Sequence, residues 1–450
     1  SPKDPGHIIA ARSGSPLVIG LSDKGNFIAS DQMALLNITK KFIYLEEGDI
    51  ADITLDSVTI FDKDGNKVER EIKISKLKSG QVSKRGYDHY MLKEIFEQPQ
   101  AIRDTLESRI TKDTVLTSAF GHEAKQIFKD TKQIQIIACG TSYNAGLVAK
   151  YWLEDIAKIP AHIEVASEYR YRQPIVLDNT LFITISQSGE TADTLEALKA
   201  VKKYNTNIHS LAICNSAESS LTRESELTFL THAGPEIGVA STKAFTTQLV
   251  SLALLAVAIG KCHNQVSKQQ ELKIVGGLNR LPGLIKKTLE QEDQIIELAK
   301  TFKNKFNAIF LGRGTMHAVA MEGALKLKEI SYIHAEAFPA GELKHGPIAL
   351  IDKDTPVIAV APNDKLLDKL KSNLQEVKSR GSQMIVFEDE NAKVESMKGM
   401  TIVPTTADLG RITAPIIFTI PLQLLSYHVA IIKGTDVDQP RNLAKSVTVE

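Results

Sequence analysis

A chain of 450 residues is long enough for two or three domains, each with its own core. Lys plus Arg and Asp plus Glu both total 54, so the formal net charge is zero and gives no support to a nucleic-acid or membrane-surface role. The hydrophobic fraction of 43% is ordinary for a soluble globular protein. Three widely spaced cysteines, Cys139, Cys214 and Cys262, make neither a disulfide framework nor a metal-ligand set and suit a reducing cytoplasm. The most apolar stretch, residues 249–259, is too short to span a bilayer, and no signal peptide is read at the start.

Residues 1–75 differ from the rest. Residues 16–28 and 42–61 alternate apolar and polar side chains and break at Asp23-Lys24-Gly25 and Asp62-Lys63-Asp64-Gly65, which predicts antiparallel hairpins. The segment has few apolar residues and is not expected to complete a core alone. It reads as the remnant of a larger β-rich domain, and the opening Ser-Pro-Lys-Asp-Pro reads like a start in mid-protein. A linker and helix occupy residues 76–110. Gly80, Lys84, Arg85 and Gly86 lie near the linker's middle, and a helix begins at residues 91–96, its end set by Pro99.

From there helices alternate with short, wholly apolar strand candidates at residues 134–138, 181–185, 209–213 and 227–230. Such runs indicate a parallel sheet covered on both faces. The series then recurs at a nearly constant offset. Gly140-Thr141 corresponds to Gly314-Thr315, Ile185-Ser186 to Val360-Ala361, residues 211–213 to 384–386, residues 228–230 to 401–403, and Gln248-Leu249 to Gln423-Leu424. This is an internal duplication. The expected architecture is α/β: two tandem doubly wound parallel-sheet domains, flavodoxin-like or Rossmann-like, at residues 111–275 and 276–425, with a tail at 426–450. The boundary between the copies falls near residues 276–284.

In an open parallel sheet, ligands bind beyond the carboxyl ends of the strands. The first strand is followed there by Cys139-Gly140-Thr141-Ser142, the next by Ser186-Gln187-Ser188-Gly189-Glu190-Thr191. Both loops are rich in hydroxyls and glycine, and both lead into helices. Hydroxyls, free N–H groups and a helix dipole together form an anion site, and the anion expected is a phosphate. As N-caps alone, these residues would look much the same. The second copy carries Ala361-Pro362-Asn363-Asp364 at the Ser186 position and should lack an equivalent site. The cluster from Glu236 to Lys243 precedes a long helix. It fits equally a helix cap at Ser241 or Thr242 with Lys243 solvated, or a further site.

In the second copy a helix at residues 318–331 puts Lys326 and Glu329 on one face, a spacing that also describes a surface ion pair. The stretch from His334 to Pro347 packs His, Glu, Lys, Gly and Pro together and is expected to form little regular structure. His334 and His345 lack the neighbours of a metal site. The tail, Asp438-Gln439-Pro440-Arg441-Asn442-Leu443-Ala444-Lys445 and beyond, suits a disordered end or a segment laid over a groove. In the second case Lys445 gains the setting of a nucleophilic amine.

Taken together, Cys139-Gly-Thr-Ser142, Ser186-Gln-Ser-Gly-Glu-Thr191, Gly238-Val-Ala-Ser-Thr-Lys243, Lys326-Leu-Lys-Glu329, Gly341-Glu-Leu-Lys-His-Gly-Pro347 and Asp438-Gln-Pro-Arg-Asn-Leu-Ala-Lys445 resemble the isomerase part of the glutamine–fructose-6-phosphate aminotransferases, the glucosamine-6-phosphate synthases. The duplicated unit resembles the sugar isomerase (SIS) domain of phosphosugar enzymes and regulators. The resemblance implies that Cys139, Gly140, Thr141, Ser142, Ser186, Gln187, Ser188, Thr191, Val239 and Ser241 bind the sugar phosphate. It implies that Lys445 forms a Schiff base with the ketone and His345 assists ring opening. Glu329 then moves the proton between C1 and C2, with Lys326 beside it. It further implies fructose 6-phosphate as substrate and glucosamine 6-phosphate as product, no metal and no cofactor, and a homodimer in which His345 serves the other subunit's site. The family's N-terminal glutaminase domain begins with a cysteine, whereas this chain begins with Ser1. Residues 1–75 then correspond to that domain's closing strands, and use of glutamine would require the missing part. A phosphosugar-binding regulatory module and a related isomerase or deglycase are the alternatives.

Overall fold

The computed structural model describes residues 4–13, 16–30, 32–75, 83–204, 207–407 and 409–448. The first three residues, Gly80 with the rest of the linker segment 76–82, and the last two residues lie outside them. The chain forms two compact units. One comprises residues 1–83, 190–195 and 446–450, the other residues 84–189 and 196–445.

The first unit is built from eight short strands: β1 (Ile8–Ala11), β2 (Val18–Ser22), β3 (Gly25–Ala29), β4 (Lys41–Tyr44), β5 (Ile50–Ile53), β6 (Val58–Phe61), β7 (Lys67–Val68) and β8 (Ile72–Ile74). They pair antiparallel in two sheets, β1-β5-β6-β7 and β3-β2-β4-β8. The expected hairpins are present, and Gly25 takes the positive φ of +124° at the β2–β3 turn that L residues avoid. The apolar residues of this unit are divided, with Ile8, Ile9, Leu55, Ile72 and Ile74 left exposed. Ile19, Ile43, Leu45, Ala51, Ile53 and Ile60 form one buried cluster, and Val18, Leu35, Leu36 and Phe42 a second. Strict alternation lets few apolar residues serve two inner faces.

The second unit holds α1 (Tyr90–Leu106), α2 (Ala124–Asp130), then β9 (Gln133–Ala138), α3 (Gly140–Trp152), β10 (Ala161–Val165), α4 (Ala166–Tyr169), β11 (Thr180–Ser186), α5 (Ala192–Tyr204, whose first turn belongs to the other unit), β12 (His209–Cys214), α6 (Ser220–Glu224), β13 (Leu227–Leu230), α7 (Lys243–Cys262), α8 (Lys268–Leu289) and α9 (Glu292–Lys300). The second copy follows: β14 (Asn307–Gly312), α10 (Thr315–Ser331), β15 (His334–Pro339), β16 (Val357–Ala361), α11 (Leu367–Lys378), β17 (Met384–Glu388), β18 (Met400–Pro404) and α12 (Thr413–Lys433). Both sheets are wholly parallel, in the orders β10-β9-β11-β12-β13 and β15-β14-β16-β17-β18. These are the same doubly wound topology twice, so the duplication is real in three dimensions. Its switch point lies between β9 and β11 in the first copy and between β14 and β16 in the second. Gly140 and Gly314 share the register and the left-handed backbone, with φ of +53° and +55°. A single apolar cluster runs from Ile134, Ile136 and Ile183 through Phe245 and Leu252 to Phe310, Ile358 and Phe418, so the two copies share one core.

Two local expectations are overturned, at Pro99 and at residues 334–339. α1 does not stop at Pro99 but runs through it to Leu106. The N–H that proline lacks is replaced by the Gln98 amide, whose Nε2 donates to the Ile95 carbonyl at 3.0 Å. Residues 334–339, expected to be irregular, form edge strand β15, and Ala340–His345 continues as a 3-10 turn. Its counterpart β10 was not anticipated either; both lie at sheet edges, where the apolar signal is weakest. The junction of the copies at 276–284 lies inside the continuous helix α8. Finally, the apolar stretch 249–259 is part of α7, which with α12 is long and apolar enough to cross a membrane. Nearly nine-tenths of the apolar window in α7, and most of that in α12, is buried inside the protein, which accounts for their composition.

Gln98 also donates to Gln423 Oε1 at 2.8 Å and accepts from Thr246 Oγ1 at 2.8 Å, joining α1, α7 and α12. Gln98→Leu leaves the Ile95 carbonyl, Gln423 and Thr246 short of partners. It should lower unfolding stability by about 2–4 kcal/mol, read as a fall in the urea midpoint at unchanged m value.

Candidate active site

The first copy's switch point places two loops side by side. After β9, Cys139 is extended (φ −122°, ψ 154°) and Gly140 turns the chain into α3, leaving Cys139 and Thr141 half-buried and Gly140 exposed. Ser142 is buried and accepts from Gln248 Nε2 of α7 at 3.0 Å. After β11, the Ser186 hydroxyl accepts from the Gly189 N–H at 3.0 Å, which curls the loop around Gln187 and Ser188. Gly189 has φ +71°, and a Cβ there would stand 2.1 Å from Ser219 Oγ and 2.6 Å from Cys214 Sγ, so only glycine closes this turn. Thr191 immediately precedes α5 and belongs to the other unit, where the Ala192 N–H donates to the Val447 carbonyl at 3.1 Å.

Beyond β13 the chain folds back on a buried carboxylate. Glu236 Oε1 accepts from the N–H groups of Thr242 (2.9 Å) and Ala244 (3.0 Å), and Oε2 accepts from Lys445 Nζ (2.7 Å). Lys445 Nζ also donates to the Gly238 carbonyl at 2.9 Å. Burial alone would push Glu236 upward, but the Lys445 ammonium and the two N–H donors outweigh it and hold this carboxyl well below the usual range. The cap of α7 is therefore Glu236, not the hydroxyl of Ser241 or Thr242; Thr242 is the N-cap residue, yet its side chain makes no cap bond. Lys243 is not solvated either. Its side chain is buried and meets Glu97 at 2.7 Å. Val239 and Ser241 are half-buried between these anchors, and the Val239 N–H donates to the Asp438 carbonyl at 3.0 Å.

The tail is ordered up to the lysine. The Asp438 carboxylate accepts from the N–H groups of Tyr90 and Met91, both at 2.9 Å, capping the positive end of α1. Arg441 stacks on the Tyr332 ring at 4.1 Å, and its N–H donates to the Tyr332 hydroxyl at 2.9 Å. Lys445 is delivered from this docked segment with its side chain 24% exposed, partly accessible but already hydrogen-bonded.

From the second copy, α10 contributes a polar stripe. Lys326 is buried, bonds Glu329 Oε2 at 2.5 Å and lies 3.6 Å from Glu322, so the expected pair exists but is not a surface pair. Burial works against its charge, yet Glu329, Glu322 and, through space, Glu236 raise its pKa, so Lys326 stays an ammonium. Glu322 is wholly buried. Its oxygens accept from Thr141 Oγ1 (3.0 Å) and Asn144 Nδ2 (2.8 Å) of the first copy's switch loop, and burial pushes it up to about 7. His345 stands exposed at the end of its 3-10 turn and makes no hydrogen bond among the described residues. Glu94, Glu236 as the lysine's partner, and Glu322 were not recognised as site residues from sequence. Their telling partners, Ile237 and Gly238 for Glu94, Lys445 for Glu236, and Thr141 and Asn144 for Glu322, lie far along the chain, so no local signal announces them. Among the described residues no three His, Cys, Asp or Glu side chains converge as metal ligands.

The SIS domain family model matches residues 127–258 and 301–433, which are the two sheet-bearing copies. A glutamine–fructose-6-phosphate aminotransferase (isomerizing) of Pseudomonas putida is 58% identical over 452 residues, covering 100% of this chain and 73% of the relative. The Haemophilus influenzae enzyme of that name is 55% identical over 448 residues with the same coverage. Among solved structures, the C-terminal domain of glucosamine-fructose-6-phosphate aminotransferase from Francisella tularensis superposes with a TM-score of 0.78 at 53% identity, covering 80% of this chain and 100% of that one. A glucosamine-6-phosphate deaminase from Thermotoga maritima reaches 0.63 at 26% identity over 80% of this chain and 99% of that one. With two SIS domains and identity above one half along its whole length, the chain belongs to the isomerizing glutamine–fructose-6-phosphate aminotransferase family.

Proposed function

We propose that this chain performs the sugar-phosphate chemistry of glucosamine-6-phosphate synthesis, converting fructose 6-phosphate to glucosamine 6-phosphate with ammonia, which the full-length enzyme draws from glutamine. The observation that carries the reading is the docked Lys445, its amine held between Glu236 and the Gly238 carbonyl and partly open to solvent. A lysine at a disordered end would have no such partners.

In this reading the Ser186–Ser188 loop, the Cys139–Ser142 loop, Val239 and Ser241 hold the phosphate and sugar. His345, exposed and unengaged within its own chain, opens the ring in the partner subunit of a homodimer. The Lys445 amine, once it has given up a proton, adds to C2; loss of water gives the iminium. Ammonia displaces the lysine and leaves an imine at C2. Glu329 takes a proton from C1; the C1–H electrons form C1=C2 while the C2=N pair moves onto nitrogen, which takes up a proton, and the enamine then regains a proton at C2 as the O1 hydroxyl loses its own, leaving a C1 aldehyde and a C2 amine. The imine is the electron sink, so the step needs no metal. Lys326 donates to Glu329 Oε2 and fixes its position. Without ammonia, the same proton shift on the ketone gives glucose 6-phosphate.

Purified chain should therefore convert fructose 6-phosphate to glucose 6-phosphate, and borohydride should trap the sugar on Lys445, seen as a mass adduct on that residue. No adduct would point instead to a binding module. Lys445→Arg should abolish synthesis while leaving sugar-phosphate Kd within about tenfold, because a guanidinium stays protonated and cannot form the imine.

Ser188→Ala should weaken sugar-phosphate binding by about 5–30-fold in calorimetry, the loss of one charge-assisted hydrogen bond. Changes at Asn363 of the second copy should leave binding unaltered. Asp438→Ala should remove a helix cap of about 1–2 kcal/mol and accelerate tryptic cleavage at Arg441 by about 5–30-fold.

A further inference from the structure

One buried carboxyl has no part in the chemistry above. Glu94 lies in α1 with 1% of its surface exposed. Its Oε1 accepts from the N–H groups of Ile237 (2.5 Å) and Gly238 (3.2 Å), while its Oε2, equally shut off from water, has no hydrogen-bond partner among the described residues. Oε2 sits so near the backbone that a Cβ on Gly238 would lie 3.0 Å from it, so the glycine is what admits the carboxyl. Ile237 and Gly238 directly follow Glu236, and Gly238 supplies the second acceptor for Lys445 Nζ. Glu94 thus grips from behind the turn whose front holds the amine.

A buried carboxyl oxygen without a donor is costly as an anion and tolerable as an O–H. Glu236 adds repulsion to burial, and the two together push Glu94 upward. Lys445 and Lys243 act in the opposite direction and are outweighed. Lys445 is already engaged by Glu236, and Lys243 by Glu97, which also meets Lys93 at 3.4 Å. Asp438 caps the start of the same helix through Tyr90 and Met91.

We propose that Glu94 is a positioning residue for the imine-forming amine: as the neutral acid it fixes the turn Glu236-Ile237-Gly238 so that Glu236 Oε2 and the Gly238 carbonyl both receive Lys445 Nζ, and once ionised its repulsion of the Glu236 carboxylate displaces that turn. The inference rests on Lys445 as the Schiff-base residue. It predicts that the amine's presentation, and with it turnover, declines as pH rises through the ionisation of Glu94, while phosphate binding does not.

The test uses the full chain with Glu94→Gln, an isostere of the protonated acid, and Glu94→Ala. Three measurements are taken from neutral to alkaline pH: sugar-phosphate Kd, borohydride trapping on Lys445, and acylation of Lys445 by acetic anhydride without sugar. Glu94→Gln should match the unaltered chain near neutrality and lack its alkaline fall in turnover. Glu94→Ala should trap sugar at least about tenfold more slowly, with Kd within about threefold. In Glu94→Ala the acylation of Lys445 should depart from that of the unaltered chain. Trapping in Glu94→Gln as slow as in Glu94→Ala, or an alkaline fall retained in Glu94→Gln, overturns the proposal. If the unaltered chain itself yields no adduct, the Schiff-base reading has failed. The acylation profile then decides Glu94 alone: identical profiles in all three chains refute positioning, and a changed profile in Glu94→Ala only supports it.

Discussion

A carboxylate cut off from water survives in a folded chain only when donors surround it, and Glu236 is such a carboxylate. Two of its donors are backbone N–H groups at the start of α7, the third is Lys445. The one demand for donors therefore has three structural consequences. It caps the long apolar helix that carries the first copy's core, bends the segment after β13 back on itself, and draws the end of the second unit's chain into the site. Removing the lysine would leave a buried charge with only dipoles to meet it, so the placement of the amine and the local fold depend on one another.

The duplication supplies the frame and its breakage supplies the chemistry. Both copies have the same strand order and the same left-handed glycine after the first strand. They differ in what surrounds that glycine. The first copy has hydroxyls beyond β9 and β11; the second has Arg313 beyond β14 and Pro362 beyond β16, but on α10 it bears Glu322, Lys326 and Glu329. Glu322 reaches across to Thr141 and Asn144, so the acid stripe of one copy is pinned to the loop and helix after β9 of the other. Because both copies share one apolar core, this registry is held by packing as well as by hydrogen bonds.

Where sequence reasoning missed, a distant partner outvoted a local rule. Proline normally ends a helix, yet α1 passes Pro99 because Gln98 satisfies the freed carbonyl and is itself held by Gln423 and Thr246, far away in the chain. The stretch from His334 looked irregular because an edge strand has only one neighbour and tolerates polar residues such as His334 and Glu336, where a central strand requires apolar ones on both faces. Of the two readings open for Lys243, the solvated helix-start lysine fails because Glu97, which nothing nearby in sequence announces, meets it in the interior.

The sequence by itself determined the α/β class, the central strands, the duplication and the hydroxyl-rich loops, since these follow from short-range periodicity and composition that any chain with this pattern must satisfy. The motifs also named Lys445, Glu329 and the phosphate loops as the residues of interest. Only the tertiary structure decided which charges are buried and who meets them: Lys445 with Glu236, Lys326 with Glu322 and Glu329, and Glu94 with an oxygen left bare. Those outcomes depend on desolvation, and desolvation is a property of everything that packs around a group, not of the residues beside it in the chain.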